Sequence, residues 1–245
     1  MILGASVTTV EVFIGPFGSG KTEVALNRAL SLAAAGERVT FVDLDLVDPY
    51  FRGRQARDTL DAAGVKVVAP PPAWDDVDLP LLSSEVFAAV RGLGAGQVFA
   101  AWRESGAGPD SGRVLIDAGG EAHGALAVRQ LSHLLPPDAA VYLVVNPYRP
   151  FMRSAEEIVQ AAELIADAAG RPITGLIANP NLAGATTADV VREGLWIVEA
   201  AARYLARPVA WTAVGAALLP ALQLAGEVQP LRFHMLPFWE VPASA

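Results

Sequence analysis

The run Val10-Glu11-Val12-Phe13-Ile14-Gly15-Pro16-Phe17-Gly18-Ser19-Gly20-Lys21-Thr22 joins an apolar, β-branched segment to a glycine-rich turn and then to a helix-period stretch. Its spacing is G-x-x-x-x-G-K-T, which predicts a strand, a phosphate-binding loop and the first turn of a helix. Glycines let the backbone of Gly15, Pro16, Phe17, Gly18, Ser19 and Gly20 curl so that N–H groups converge on an anion, and the helix that follows adds its positive dipole end. Lys21 is then expected to reach the β- and γ-phosphates of a nucleoside triphosphate, and Thr22 to ligate Mg²⁺. The helix is expected over Lys21–Ala35, stopped by Gly36. Lys21 and Lys66 are the chain's two lysines, so an incidental surface lysine in this place is a poor explanation.

Working outward, short apolar segments alternate with helical ones along the whole chain. Strands are expected at Val10–Ile14, Arg38–Val42, Val65–Ala69, Val114–Ile116, Ala140–Val145, Ile173–Ala178 and Val209–Thr212. Helices are expected at Lys21–Ala35, Gly53–Ala63, Ser83–Arg91, Ala125–Leu135, Ser154–Ala169, Ala188–Leu205 and Ala216–Leu222. Continuous apolar strands, rather than alternating ones, belong to a parallel sheet covered on both faces. The fold class expected is therefore α/β, doubly wound, a mostly parallel sheet of about seven strands with right-handed crossovers. One domain over residues 1–245 is expected, since 245 residues, 53% of them hydrophobic, suffice for a single large core. Ser154 followed by Glu157 reads as a capping box, Thr187 as a cap and Gly170 as a stop. The proline-rich stretch Ala69–Asp76 and the Gly/Ala/Ser-rich stretch Gly92–Gly112 read as connections.

Composition prunes the function classes. A formal charge of −8 argues against nucleic acid or an anionic membrane as the main partner. The absence of cysteine removes disulfides, thiolate metal sites, cysteine-ligated iron–sulfur clusters and cysteine nucleophiles. No apolar run reaches the length of a membrane span and no signal pattern opens the chain, so a cytoplasmic location is expected.

Two acidic motifs lie downstream of the loop. Val42-Asp43-Leu44-Asp45 leaves the end of the second strand with carboxylates at i and i+2, at the rim where a parallel sheet places its ligands. One of the pair can hold Mg²⁺ through water while the other orients or deprotonates an attacking water. Val114-Leu115-Ile116-Asp117-Ala118-Gly119-Gly120 is an apolar strand ending in an aspartate suited to Mg²⁺, with Gly120 free to bring a backbone N–H to the γ-phosphate. Glu121 and His123 follow as exposed polar residues.

With Gly175-Leu176-Ile177-Ala178-Asn179 added to these three segments, the chain resembles the SIMIBI class of P-loop NTPases, and within it the CobQ/CobB/MinD/ParA nucleotide-binding group, from about residue 10 to 215. The resemblance implies Mg²⁺ contacts through Thr22, Asp43 and Asp117, with Asp45 positioning the hydrolytic water. It implies adenine contacts from Asn179 and from the segment around Pro208-Val209. It also implies ATP as the nucleotide, a preference supported by the lack of an N-K-x-D element, and a nucleotide-dependent homodimer serving an unidentified protein partner. The MinD/ParA branch carries a signature lysine early in the loop, where this chain has Pro16. A replacement cation is then needed, with Arg52 or Arg54 best placed by sequence, or else hydrolysis is slow. The tail Leu231–Trp239 is aromatic, not basic, and reads as a final strand or packed segment. Three functions fit: an ATP-hydrolysing switch, an ATP-dependent small-molecule ligase or kinase resembling dethiobiotin synthetase, and a nucleotide sensor without turnover.

Overall fold

In strand β1 (Thr9–Ile14), Val10, Val12 and Ile14 enter one hydrophobic layer and Phe13 enters the other. Such two-faced burial leaves no solvent-facing side to the strand, which is why its sequence is apolar but for Thr9 and the buried Glu11. The computed structural model describes residues 9–44, 54–68, 112–133 and 135–234. Among these the strands continue as β2 (Val39–Asp43), β3 (Lys66–Val68), β4 (Arg113–Asp117), β5 (Ala140–Val145), β6 (Gly175–Ala178), β7 (Val209–Gly215) and β8 (Val228–Leu231). The helices are α1 (Lys21–Ala34), α2 (Arg54–Ala62), α3 (Glu121–Leu131), α4 (Ala155–Ala169) and α5 (Ala188–Leu205). The expected helix Ser83–Arg91, the stretch Ala69–Asp76, and Asp45 and Arg52 lie outside the described residues.

The sheet runs β3-β2-β4-β1-β5-β6-β7-β8, and every pairing is parallel. The order reverses at β1, which has β4 on one side and β5 on the other, so a crevice opens at its carboxyl end. Leu131, Ile158, Ala162, Val198 and Ala201 from α3, α4 and α5 build the core on one face. Val24, Leu26, Ala29 and Leu32 of α1, with Leu60 of α2, build it on the other.

Three details depart from expectation. The eighth strand, β8, ends at the first residue of the tail Leu231–Trp239 that reads as a final strand or packed segment: Val228-Gln229-Pro230-Leu231 is short and contains proline, which is tolerated because β8 is an edge strand paired only to β7. Helix α3 begins at Glu121 rather than Ala125, because Gly124 has no side chain and its backbone lies directly against the Gly119 carbonyl. Tertiary packing here overrides the low helix propensity of glycine. Residues Ala216–Ala221 form a 3₁₀ helix, not an α-helix.

Caps behave as the sequence suggests. Ser154 Oγ accepts the Glu157 N–H at 3.3 Å while the Glu157 carboxylate takes the Arg153 N–H at 2.6 Å, Thr187 caps Val190, and Gly170 ends α4 at φ 63°.

Helix α5 seats the two turns that follow β5 and β6 through Gly194. A Cβ there would stand 2.5 Å from Pro180 Cβ and 2.9 Å from Pro147 Cγ. Replacing a helical glycine by alanine ordinarily gains about 1 kcal/mol. Here Gly194→Ala is expected to lower stability by about 1–3 kcal/mol through overpacking, measured as a lower urea midpoint at unchanged m-value.

Candidate nucleotide site

The phosphate loop follows β1 at the carboxyl edge, between the ends of β4 and β5. Gly18 and Gly20 hold φ of 71° and 83°, a left-handed backbone that side chains disfavour. The Ser19 N–H bonds the Pro16 carbonyl at 3.2 Å, closing the turn. Gly20 is the N-cap of α1 and supplies no side-chain hydrogen bond, and Gly120 at α3 supplies none either. Helices α4 and α5 are capped by a hydroxyl. The two helices that start at the phosphate loop and at the Asp117–Gly120 turn thus present unsatisfied N–H groups and dipole to the crevice.

Lys21 lies in the first turn of α1 with 6% of its surface exposed, and among the described residues no carboxylate pairs with it. A buried ammonium without a counter-charge is unfavourable on its own. It suits a site completed by an anion. The Ser19 hydroxyl is likewise buried without a hydrogen-bond partner. These features fit a triphosphate, and Thr22 follows Lys21 on the same turn. Across the sheet, Asp43 and Asp117 are in register on β2 and β4, and Asp117 is also in register with Phe13 on β1. The Leu44 N–H bonds the Asp117 carbonyl at 2.9 Å and the Ala118 N–H bonds that of Phe13 at 3.0 Å, so the strand ends are locked level with each other. Gly120 is close-packed on Phe17: a Cβ at 120 would meet Phe17 Cα at 3.4 Å. The loop, the Asp43 strand end and the Asp117–Gly120 turn therefore converge on one crevice with the hard oxygen donors that Mg²⁺ takes.

Asn179, expected to contact the base, is 3% exposed and donates from Nδ2 to the Ser19 carbonyl at 2.8 Å. In this conformation it buttresses the loop. Pro208 stands before β7, its carbonyl accepting the Leu176 N–H. Since all strands are parallel, that is the amino-terminal edge of the sheet, opposite the phosphate loop, so Pro208 does not line the crevice. The segment after β7, Gly215 and Ala216–Ala221, occupies the carboxyl edge instead.

Sequence reasoning missed Arg149. It lies in the turn after β5, the neighbour of β1, and donates from Nε to the Gly18 carbonyl at 2.9 Å. The available signal was a basic residue four positions beyond the end of a strand flanking the loop strand.

No protein-family model matches the chain, and no curated protein matches it by sequence. Solved structures do. The chain is similar to the cell division protein FtsY of Thermotoga maritima, with 18% identity, TM-score 0.53, and coverage of 86% of this chain and 63% of that one. It is similar to chloroplast FtsY of Physcomitrella patens, with 19% identity, TM-score 0.56, and coverage of 87% and 60%. The signal recognition particle receptor FtsY of Elizabethkingia anophelis in complex with GDP gives 19% identity, TM-score 0.50, and coverage of 88% and 60%. The chain spans less than two thirds of the length of each. The likeness is one of fold: an all-parallel sheet with helices on both faces, the α/β fold of P-loop NTPases.

Proposed function

We propose that this chain is a nucleoside triphosphate-binding switch that hydrolyses its nucleotide with Mg²⁺ and acts on a partner protein, pairing with a second copy of itself in the triphosphate state. The observation that carries this reading is Lys21, 6% exposed and without an ion pair among the described residues, at a helix end with no side-chain cap on the same carboxyl edge of the sheet as Asp43, Asp117 and Gly120. Backbone N–H groups of the loop and of the first turn of α1 cradle the phosphates, and Lys21 supplies the positive charge. Thr22, Asp43 and Asp117 hold the metal directly or through water. Mg²⁺ held by these residues would supply positive charge against the charge of the leaving terminal phosphoryl group. Asp45 is the residue we assign to the attacking water.

Adenine is the base that the residues favour, since no N-K-x-D element follows β6. The fold likeness to a GDP-bound protein favours guanine, and this is the second reading. Competition of ATP and GTP against a fluorescent triphosphate in the presence of Mg²⁺ decides between them. ATP is expected to displace the probe at a concentration about tenfold lower than GTP, a difference of ~1.4 kcal/mol. The reverse order assigns guanine, and no displacement by either overturns the nucleotide reading. Mass in solution, expected to double with a non-hydrolysable triphosphate, tests the pairing.

A further inference from the structure

We propose that Arg149 is a second cation of the phosphate site, supplied by this same chain, whose guanidinium contacts the terminal phosphate of a bound nucleoside triphosphate. The proposal rests on the nucleotide-binding reading above and adds a residue to it.

The position is built, not incidental. Strand β5 pairs with β1 with Leu143 opposite Ile14, so the turn after Val145 rises beside the phosphate loop. That turn is pinned at several points. Asn146 Oδ1 accepts the Tyr148 N–H at 3.1 Å while its Nδ2 donates to the Asn181 carbonyl at 2.8 Å. Tyr148 OH donates to the Val190 carbonyl on α5, and Met152, whose N–H bonds the Arg149 carbonyl at 3.2 Å, is buried. The backbone of Arg149 is therefore fixed before any ligand arrives, which removes much of the entropy of placing a cation.

The side chain is seated on the loop itself. A Cβ at Gly18 would stand 3.2 Å from Arg149 Nε, so the glycine that shapes the loop also makes room for the guanidinium. Only Nε is spent, on the Gly18 carbonyl. The terminal nitrogens meet no carboxylate among the described residues, which leaves a planar fork of N–H donors suited to phosphate oxygens. Gly18 stands two residues before Gly20, the N-cap of α1, so the guanidinium is seated on the loop ahead of the helix end that Lys21 and Thr22 serve. The proposal places this cation at the end of the nucleotide that differs between triphosphate and diphosphate. The loop needs one: position 16 is proline, Lys21 is its only basic residue, and Asp43 and Asp117 bring negative charge to the same crevice.

The test is binding of non-hydrolysable triphosphate and of diphosphate, AMP-PNP with ADP and GMP-PNP with GDP, by wild type, Arg149→Gln, Arg149→Lys and Lys21→Ala. Glutamine can still donate to the Gly18 carbonyl but carries no charge; lysine keeps the charge and loses the fork. Arg149→Gln is expected to bind triphosphate about ten- to a hundredfold more weakly and diphosphate within about twofold, melting with wild type because the side chain is exposed. Arg149→Lys is expected to recover part of the triphosphate preference. Equal weakening of both nucleotides, or none, in Arg149→Gln overturns the proposal and leaves the arginine a brace of the loop, while the nucleotide reading stands as long as Lys21→Ala loses binding. Wild type that binds neither nucleotide overturns both.

Discussion

Lys21→Ala is expected to weaken binding of the Mg²⁺–triphosphate complex at least a hundredfold, about 2.7 kcal/mol or more, while leaving the melting temperature of the ligand-free protein unchanged or higher. The two halves come from one observation. Lys21 is 6% exposed and forms no ion pair with a described carboxylate, so a largely buried cation stands without a salt-bridge partner until phosphate binds. Removing it takes away an unfavourable term from the empty fold and the principal cation from the loaded one. An ordinary structural lysine behaves the opposite way: truncation costs stability and leaves ligand affinity alone. Calorimetric titration and a thermal melt on the same sample separate the two. Loss of stability with retained nucleotide affinity would show that the lysine belongs to the core of α1 and not to a phosphate site.

The glycine-rich loop between β1 and α1 was legible because its geometry is local. Glycines at 15, 18 and 20, and a lysine at the first helical position, carry the geometry in a few consecutive residues. The register of Asp43 with Asp117 was legible in outline, because an apolar strand in a parallel sheet ends at the ligand edge and both aspartates are the last residues of such strands. What stayed hidden depends on contacts distant in sequence. Arg149 reaches Gly18 over 131 positions, and nothing around it in the chain says which neighbour its turn will stand beside. Pro208 was assigned to the base through the resemblance alone, yet it stands before β7, and a strand's two ends are a sheet apart. Strand β8 is held by tertiary bonds that its own residues barely announce: the Gln229 amide donates to the Val24 carbonyl at 3.2 Å, and just beyond the strand Asn27 exchanges two hydrogen bonds with the backbone of Arg232. These couple the last strand to α1, the helix that begins at the phosphate loop.

Glu11→Ala is expected to lower stability by about 2–4 kcal/mol, at or below the usual range for leaving a buried charge unpaired, which for a chain of this size is a fall in Tm on the order of 10 °C. Glu11 sits among the apolar residues of β1 and is 2% exposed. Its carboxylate takes Arg28 of α1 in a two-pronged pair, with both bonds at 3.2 Å, and Arg113 of β4 at 3.3 Å. Arg113 also bonds Glu37 at 2.6 Å, and Arg28 stacks over Trp211 at 4.8 Å. Burial works against the charge on Arg28, yet the Glu11 carboxylate more than offsets it and holds the guanidinium above its ordinary range. Deleting Glu11 leaves two arginines facing a cavity in the sheet. Their side chains are 20% and 28% exposed, so partial rehydration keeps the loss toward the lower end. Glu37→Ala removes a partner with 38% of its side chain exposed and is expected to cost under about 1 kcal/mol. The double replacement Glu11→Leu with Arg28→Met is expected to recover much of the loss, because the pair leaves no orphan charge on α1. Urea unfolding of the three variants checks the ordering. If Glu11→Ala costs no more than Glu37→Ala, the cluster is a solvated surface network and α1 is fixed to the sheet by its apolar face alone.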